Sequence, residues 1–370
     1  QMKANDDQVT LDFLSSYYHQ DGDHGAVTGG VGTEKLTDVA NVFVVNIPLD
    51  SVNAVNITGG ADFYSSASTD RIDNNPSSAS SSDLRTYGTV SYSRKNLHKG
   101  ETYVAKIGAS SEFDYTSFSG GLGWVKEFNE GNNEFHVKAQ VYRDNWSLIV
   151  PIELRGSTSI PSSRRNSYNA QATFAQVINK RMQFLISGEA IYMDGLLSTP
   201  FHRVYFQGES LARIEHLPDS RLKIPIGFRF NYYPADILIL RAYYRFYTDD
   251  WGITAHTFSL DTPVKLSTAL TLTPFYRYHT QTAADYFAPF GTHTPDDTFY
   301  TSDYDLSALD SHKIGLGFRI APLYGMGGLK IGNDKLLHLK SLDFRTAYYH
   351  RSTGLNAFVG SLHLSFVFKK

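Results

Sequence analysis

Residues 356–368 alternate almost without interruption. Phe358, Gly360, Leu362, Leu364, Phe366 and Phe368 share one face, and Ala357, Val359, Ser361, His363 and Ser365 the other. A period of two belongs to a β-strand with one oily side. Similar segments recur about every twenty residues along the chain, each bounded by turn residues. The segments are long. Soluble strands average about five or six residues, whereas a tilted membrane strand needs about nine to eleven. The pattern therefore predicts an all-β fold, a transmembrane antiparallel up-and-down barrel, over a soluble sandwich or repeat protein.

Composition agrees with that reading. Aromatic residues make up 14% of the 370 residues, with 24 Tyr and 24 Phe, and they gather at segment ends. No run approaches the roughly eighteen apolar residues of a membrane helix, so a membrane protein of this sequence has to be a barrel. Turn signals never pause for a linker, and residues 1–370 read as one domain. The absence of cysteine excludes disulfides and thiolate metal sites. A net charge of −3 argues against nucleic acid as a partner. The chain opens at Gln1, and the expectation is the mature form of an exported protein whose signal peptide has been cleaved.

Loop lengths count the strands. Both ends of a bacterial barrel normally lie in the periplasm, so short turns and long loops alternate and the total is even. Nine strands fit between Val9 and Tyr192 and seven between Leu222 and Phe368. Long polar stretches at Gln20–Lys35, Ser65–Asp83, Ser147–Asn166 and Thr280–His312 follow odd-numbered strands. A strand at Arg203–Ile214 would break that parity. Taking Met193–Arg221 as one external loop restores it, giving about sixteen strands, with fourteen or eighteen as neighbouring even counts. The apolar residues Leu196, Leu197, Phe201, Val204, Tyr205 and Phe206 make this loop a candidate for folding inward.

The same alternation assigns charges to the lumen. Between Leu222 and His350 the inward positions carry Arg229, Arg241, Arg245, Arg277, Lys313, Arg319 and Arg345 against Asp343 alone. The earlier wall supplies Asp12, Asp62, Glu112, Asp114 and Glu189, with Lys106 and Lys138 among them. Two such arcs would set a transverse field across an aqueous lumen. The plainer alternative is a set of ion-pair ladders that fill the interior.

Other chemistry is thin. Asp21, Asp23 and Glu34 in the first loop offer oxygen ligands for a loop-bound calcium, though their spacing falls short of an EF-hand; no other cofactor is expected. Asp296, Asp297, Asp303, Asp305 and Asp310 read as a solvated surface. His98, His136, His256, His279 and His363 lie on separate segments, with packing in the lumen as their default role. No nucleophile elbow or paired zinc histidines occur, so catalysis is not expected.

The strings AVTGGVGTEKLTD at Ala26–Asp38, following Tyr17–Asp23, and LSTPFHRVYF at Leu197–Phe206 resemble marks of an uncharacterised outer-membrane barrel family of Bacteroidota, along nearly the whole chain. That resemblance implies a Gram-negative outer membrane and its lipid as surroundings. It also implies a small lipoprotein or a periplasmic redox protein as partner. Two functions follow as expectations: porin-like passage of small hydrophilic solutes, anions among them, or a structural barrel that anchors or sheathes such a partner.

Overall fold

The structure, a computed structural model, describes residues 8–66, 82–148, 163–331 and 335–369. The barrel strands are β1 (Thr10–Asp21), β2 (Leu36–Pro48), β3 (Asn53–Ser66), β4 (Ser82–Asn96), β5 (Glu101–Ser111), β6 (Tyr115–Phe128), β7 (Asn133–Trp146) and β8 (Arg164–Asn179). The second half comprises β9 (Met182–Gly195), β10 (Ser220–Ala235), β11 (Leu238–Asp249), β12 (Thr254–Asp261), β13 (Leu270–Gln281), β14 (Leu309–Ile320), β15 (Lys335–Arg351) and β16 (Asn356–Lys369). Eighteen segments share the main sheet; Val264–Lys265 prolongs β12 and Gly328–Ile331 prolongs β14, which leaves sixteen strands. All pair antiparallel, and β1 pairs with β16 from Thr10↔Val367 to Asp21↔Asn356, closing the cylinder. Among the described residues no helix is long and apolar enough to cross a membrane.

Tight connections at one end follow from local chemistry. The Asp50 carboxylate accepts from the backbone N–H of Val52 and of Asn53, 2.8 Å each, and so closes the turn into β3. Between β6 and β7, Asn129 and Glu130 take φ of +52° and +57° ahead of Gly131, the left-handed pair that a tight hairpin needs.

The two faces of the wall differ in chemistry. Ile107, Leu122 and Ile314 point outward, 62–68% exposed. Outward rings border this apolar belt at both ends. Tyr92, Tyr103 and Trp124 lie toward the short turns, and Tyr17, Tyr168, Tyr192, Tyr244, Tyr276 and Tyr348 toward the long loops. The inward face carries most of the charged side chains of the wall, with scattered apolar residues such as Leu14, Val42 and Val104 among them.

The densest packing is elsewhere. Of the five most fully buried large side chains, Phe206, Val204, Thr301 and Ser302 belong to two long loops, and Ser341 alone to the wall. Within the loop 196–219, Arg203–Tyr205 and Ala212–Ile214 form a short hairpin. It joins the loop 282–308 through bridges Phe206↔His293 and His216↔Tyr300, and the two loops with residues 22–35 make a cap over the mouth. The expected loops at Ser65–Asp83 and Ser147–Asn166 lie for the most part outside the described residues.

Candidate functional site

Pairing register places all seven basic residues of the predicted arc on the inward face, spread over β10 to β15. They fall into two groups. Arg319 bonds Asp343 at 3.2 Å, and Arg345 bonds Asp261 at 3.0 Å while lying 4.3 Å over the Phe275 ring. Arg229, Arg241, Arg245, Arg277 and Lys313 have no carboxylate within ion-pair distance among the described residues; Arg229 lies over Tyr243 instead. Arg277 and Lys313 stand directly opposite each other on β13 and β14. Like charges in that register repel, and water or an anion between them relieves the cost. Two cavities of about 320 and 330 Å³ open against this pair, one toward the mouth and one deeper beside Asp261 and Arg345.

The acidic residues are placed differently from the expected arc. Asp62 and Glu112 do share a wall with Asp38, Asp83 and Asp114 around Arg85, whose guanidinium is 3.6 Å from Glu112. In a sixteen-strand ring β4 and β12 are eight strands apart either way round, so this patch looks across at the basic one. Asp12 does not belong to it. Ring closure brings β1 beside β16, where Asp12 meets His363 at 3.0 Å and His363 meets Asp343 at 3.5 Å. Asp12 is thus one end of a pair ladder that runs through His363 and Asp343 to Arg319. Glu189 hydrogen-bonds Asn169.

The cap reaches this basic wall through the 282–308 loop. Inward-facing Gln281 donates to the carbonyls of Asp305 and Ser307, at 3.0 and 2.8 Å. Arg351 grips Asp305 at 2.5 Å and Glu34 at 3.4 Å, tying two loops to the barrel. Burial pushes the Glu34 carboxyl up to about 7 against the pull of Arg351. The Met193–Arg221 segment packs on this loop: Phe206 and Val204 are its core, and Tyr205 packs on Phe290 at 4.7 Å. Phe201 meets His202 edge-on, Leu196 bonds the Arg164 carbonyl through its backbone, and Leu197 is half-buried.

Several sequence expectations need correction. Asp21, Asp23 and Glu34 do not converge. Asp21 and Gln20 are neighbours and point to opposite faces, so Asp21 turns outward to Lys35, 3.6 Å away, while Glu34 turns inward to Gln20 and Arg351. The glycines here serve close approach: Gly29, at φ +84°, lies under the Tyr205 ring, where an added Cβ would be 2.7 Å from its Cδ2. Asp303 is not part of a solvated surface, whereas Asp305, with its side chain 69% exposed, is. Asp303 faces His202, 3.8 Å away, and His202 lies 3.5 Å from Glu215. Burial alone would lower the His202 imidazole, but the Glu215 and Asp303 carboxylates outweigh it and raise it; burial raises Asp303. His256 points outward, where it bonds the Tyr244 hydroxyl at 2.8 Å. Its partner Phe246 alternates onto the outer face.

The sequence matches the family described as "Protein of unknown function (DUF3570)" over residues 7–363. The chain belongs to that family. Its two marker strings meet in the cap: the Val27 carbonyl accepts from Arg203 at 2.7 Å, and Gly29 packs on Tyr205. No protein of curated function matches it. The fold is similar to solved barrels at low identity. One is a "Bacterial polysaccharide outer membrane secretin" (11% identity, TM-score 0.48, 99% of this chain and 100% of that one). Others are a BenF-like porin from Pseudomonas fluorescens Pf-5 (8%, 0.45, 97% and 98%) and OpdK of Pseudomonas aeruginosa with vanillate (8%, 0.43, 97% and 98%). At these scores the likeness carries no argument about solute.

Proposed function

We propose that this barrel lies in the outer membrane of a Gram-negative cell and passes small hydrophilic solutes with a preference for anions. The outward apolar belt edged by Tyr and Trp supports the lipid-facing role. The observation that carries the solute preference is the strip Arg229, Arg241, Arg245, Arg277 and Lys313, which has no carboxylate within ion-pair distance among the described residues and in which Arg277 and Lys313 line two cavities. Guanidinium forks suit carboxylate and phosphate groups. Were these cations only structural filling, each would have a carboxylate of its own, as Arg319 and Arg345 do; Arg241 stands across from Asp261, but that carboxylate is held by Arg345.

Planar-bilayer recording tests the reading. The wild-type barrel should conduct, with a reversal potential in a salt gradient that marks anion preference. Replacing Arg241 and Arg245, or Arg277 and Lys313, by Gln should shift that potential toward cations while the barrel still folds. A folded barrel that stays silent would end the porin reading, and an unchanged potential would end the anion filter. A second reading, a structural barrel that holds a lipoprotein or a periplasmic redox partner, gains support from the packed cap, which is more heavily built than a simple gate requires. Co-purification of a stoichiometric partner with a silent barrel would favour it.

A further inference from the structure

We infer that His202, Glu215 and Asp303 form a zinc site that staples the two large loops of the cap together. The donors come from far apart in sequence and are positioned by ordered backbone. His202 and Glu215 flank the Arg203–Ile214 hairpin as the next pair in its register, with the Glu215 N–H donating to the His202 carbonyl at 3.0 Å. Asp303 arrives from the other loop two residues after Thr301, which is fully buried.

Distances favour a metal over a simple ion pair. His202 presents one nitrogen, Nδ1, to Glu215 Oε1 at 3.5 Å and to Asp303 Oδ2 at 3.8 Å. Both exceed the 2.7–2.9 Å of a charge-assisted hydrogen bond. Donors bound at about 2.1 Å around one tetrahedral ion lie roughly 3.4 Å from each other, which is the spacing these atoms approach. All three ligand atoms fall within 4.8 Å of one another.

The surroundings resemble a prepared ligand set. Glu215 Oε2 accepts from the Thr199 N–H and Oε1 from the Thr301 hydroxyl, both at 2.6 Å, and Asp303 Oδ1 accepts from the Asp305 N–H at 2.9 Å. Such outer bonds orient carboxylates toward a metal. The Glu215 side chain is only 2% exposed, yet among the described residues neither it nor Asp303 has an Arg or Lys within 4 Å. Buried charges are paired or bind metals, and here a single imidazole faces two carboxylates. A divalent ion would neutralise both. One imidazole with two carboxylate oxygens, leaving a fourth position for water, suits zinc.

The test uses the full chain in detergent, stripped with EDTA and titrated with zinc chloride by calorimetry, with X-ray absorption at the zinc edge on the one-to-one sample. One site per chain is expected, with a first shell of one imidazole nitrogen and otherwise oxygen. His202→Gln and Asp303→Asn should each weaken binding by at least about tenfold while the heat-modifiable gel shift of the folded barrel persists. No saturable binding to the folded barrel would overturn the site. So would undiminished affinity in both variants. A first shell with two imidazoles would also overturn it, because that would place the ion on surface histidines such as the cross-strand pair His312 and His350. The absorption measurement needs only the wild-type chain, so it decides the matter even if a variant misfolds.

Discussion

The wall and the cap of this molecule are built by different rules. In the wall each strand's backbone pairs only with its two neighbours, and a period of two decides which side chains see the lumen. In the cap, contacts follow no such period: the Val27 carbonyl meets Arg203, 176 residues away, and the most buried large side chains sit there. A barrel wall needs no dense interior, because its apolar atoms are meant to stay exposed. A cap facing water must bury its own. The molecule therefore behaves as a membrane protein in its cylinder and as a small soluble protein at its mouth.

Shaving the cap core should have the largest effect. Phe206 is 1% exposed and contacts Tyr300 edge-on at 4.8 Å, with the Arg213 guanidinium 3.8 Å over its ring. Phe206→Ala should cost about 3–5 kcal/mol, all of it in the cap. Proteolysis and hydrogen exchange at 196–219 and 282–308 should rise sharply while the heat-modifiable shift stays. If the barrel melts with the cap, the two are one cooperative unit and the contrast is false.

A charge on the outer wall should come next. Leu122 is 68% exposed, pairs with Ala139, and sits in the apolar belt. Leu122→Arg should cost about 2–4 kcal/mol near the bilayer midplane, seen as a lower urea midpoint for folding into vesicles. Gln140→Arg, next along β7 but turned to the lumen, should be nearly neutral. Equal tolerance at both positions would mean the outer face does not meet lipid.

The contrast explains what could be seen in the sequence. Alternation and loop parity locate all sixteen strands within a few residues, and they keep Arg203–Ile214 out of the wall, where it folds as a hairpin inside a loop. Small boundary errors hid partners. Asp261, which neutralises Arg345, is the last residue of β12, and Arg351, the last of β15, holds two loops, so both lie where alternation gives way to turn residues. The cap was beyond reach for a stronger reason. His202, Glu215 and Asp303 have no common period, and only tertiary packing brings them together. A long loop rich in Asp looks the same in sequence whether its carboxylates meet water or an imidazole.

The smallest effect expected is a pH dependence of the joint between wall and cap. Glu34 is packed among Gln20 and Tyr18 of β1, Arg351 of β15, and Asp303 and Asp305 of the 282–308 loop, and its carboxyl is raised from 4.5 to about 7. A carboxyl raised on folding binds its proton more tightly in the folded state. Its contribution is therefore fully favourable below about pH 4.5 and is lost as pH climbs through about 7. In the zinc-free protein, this group should make the attachment of residues 22–35 firmer at pH 5.5 than at pH 8, by about 1 kcal/mol after solvent screening. Hydrogen exchange of residues 22–35, corrected for the intrinsic rate at each pH, reads it directly. Glu34→Gln should flatten the dependence and leave the variant near the wild type's low-pH protection, since an amide mimics the protonated acid. The wall strands serve as the internal reference. If residues 22–35 loosen on acidification instead, the Glu34–Arg351 pair outweighs burial, and the joint is held by charge in the manner of the wall's ladders.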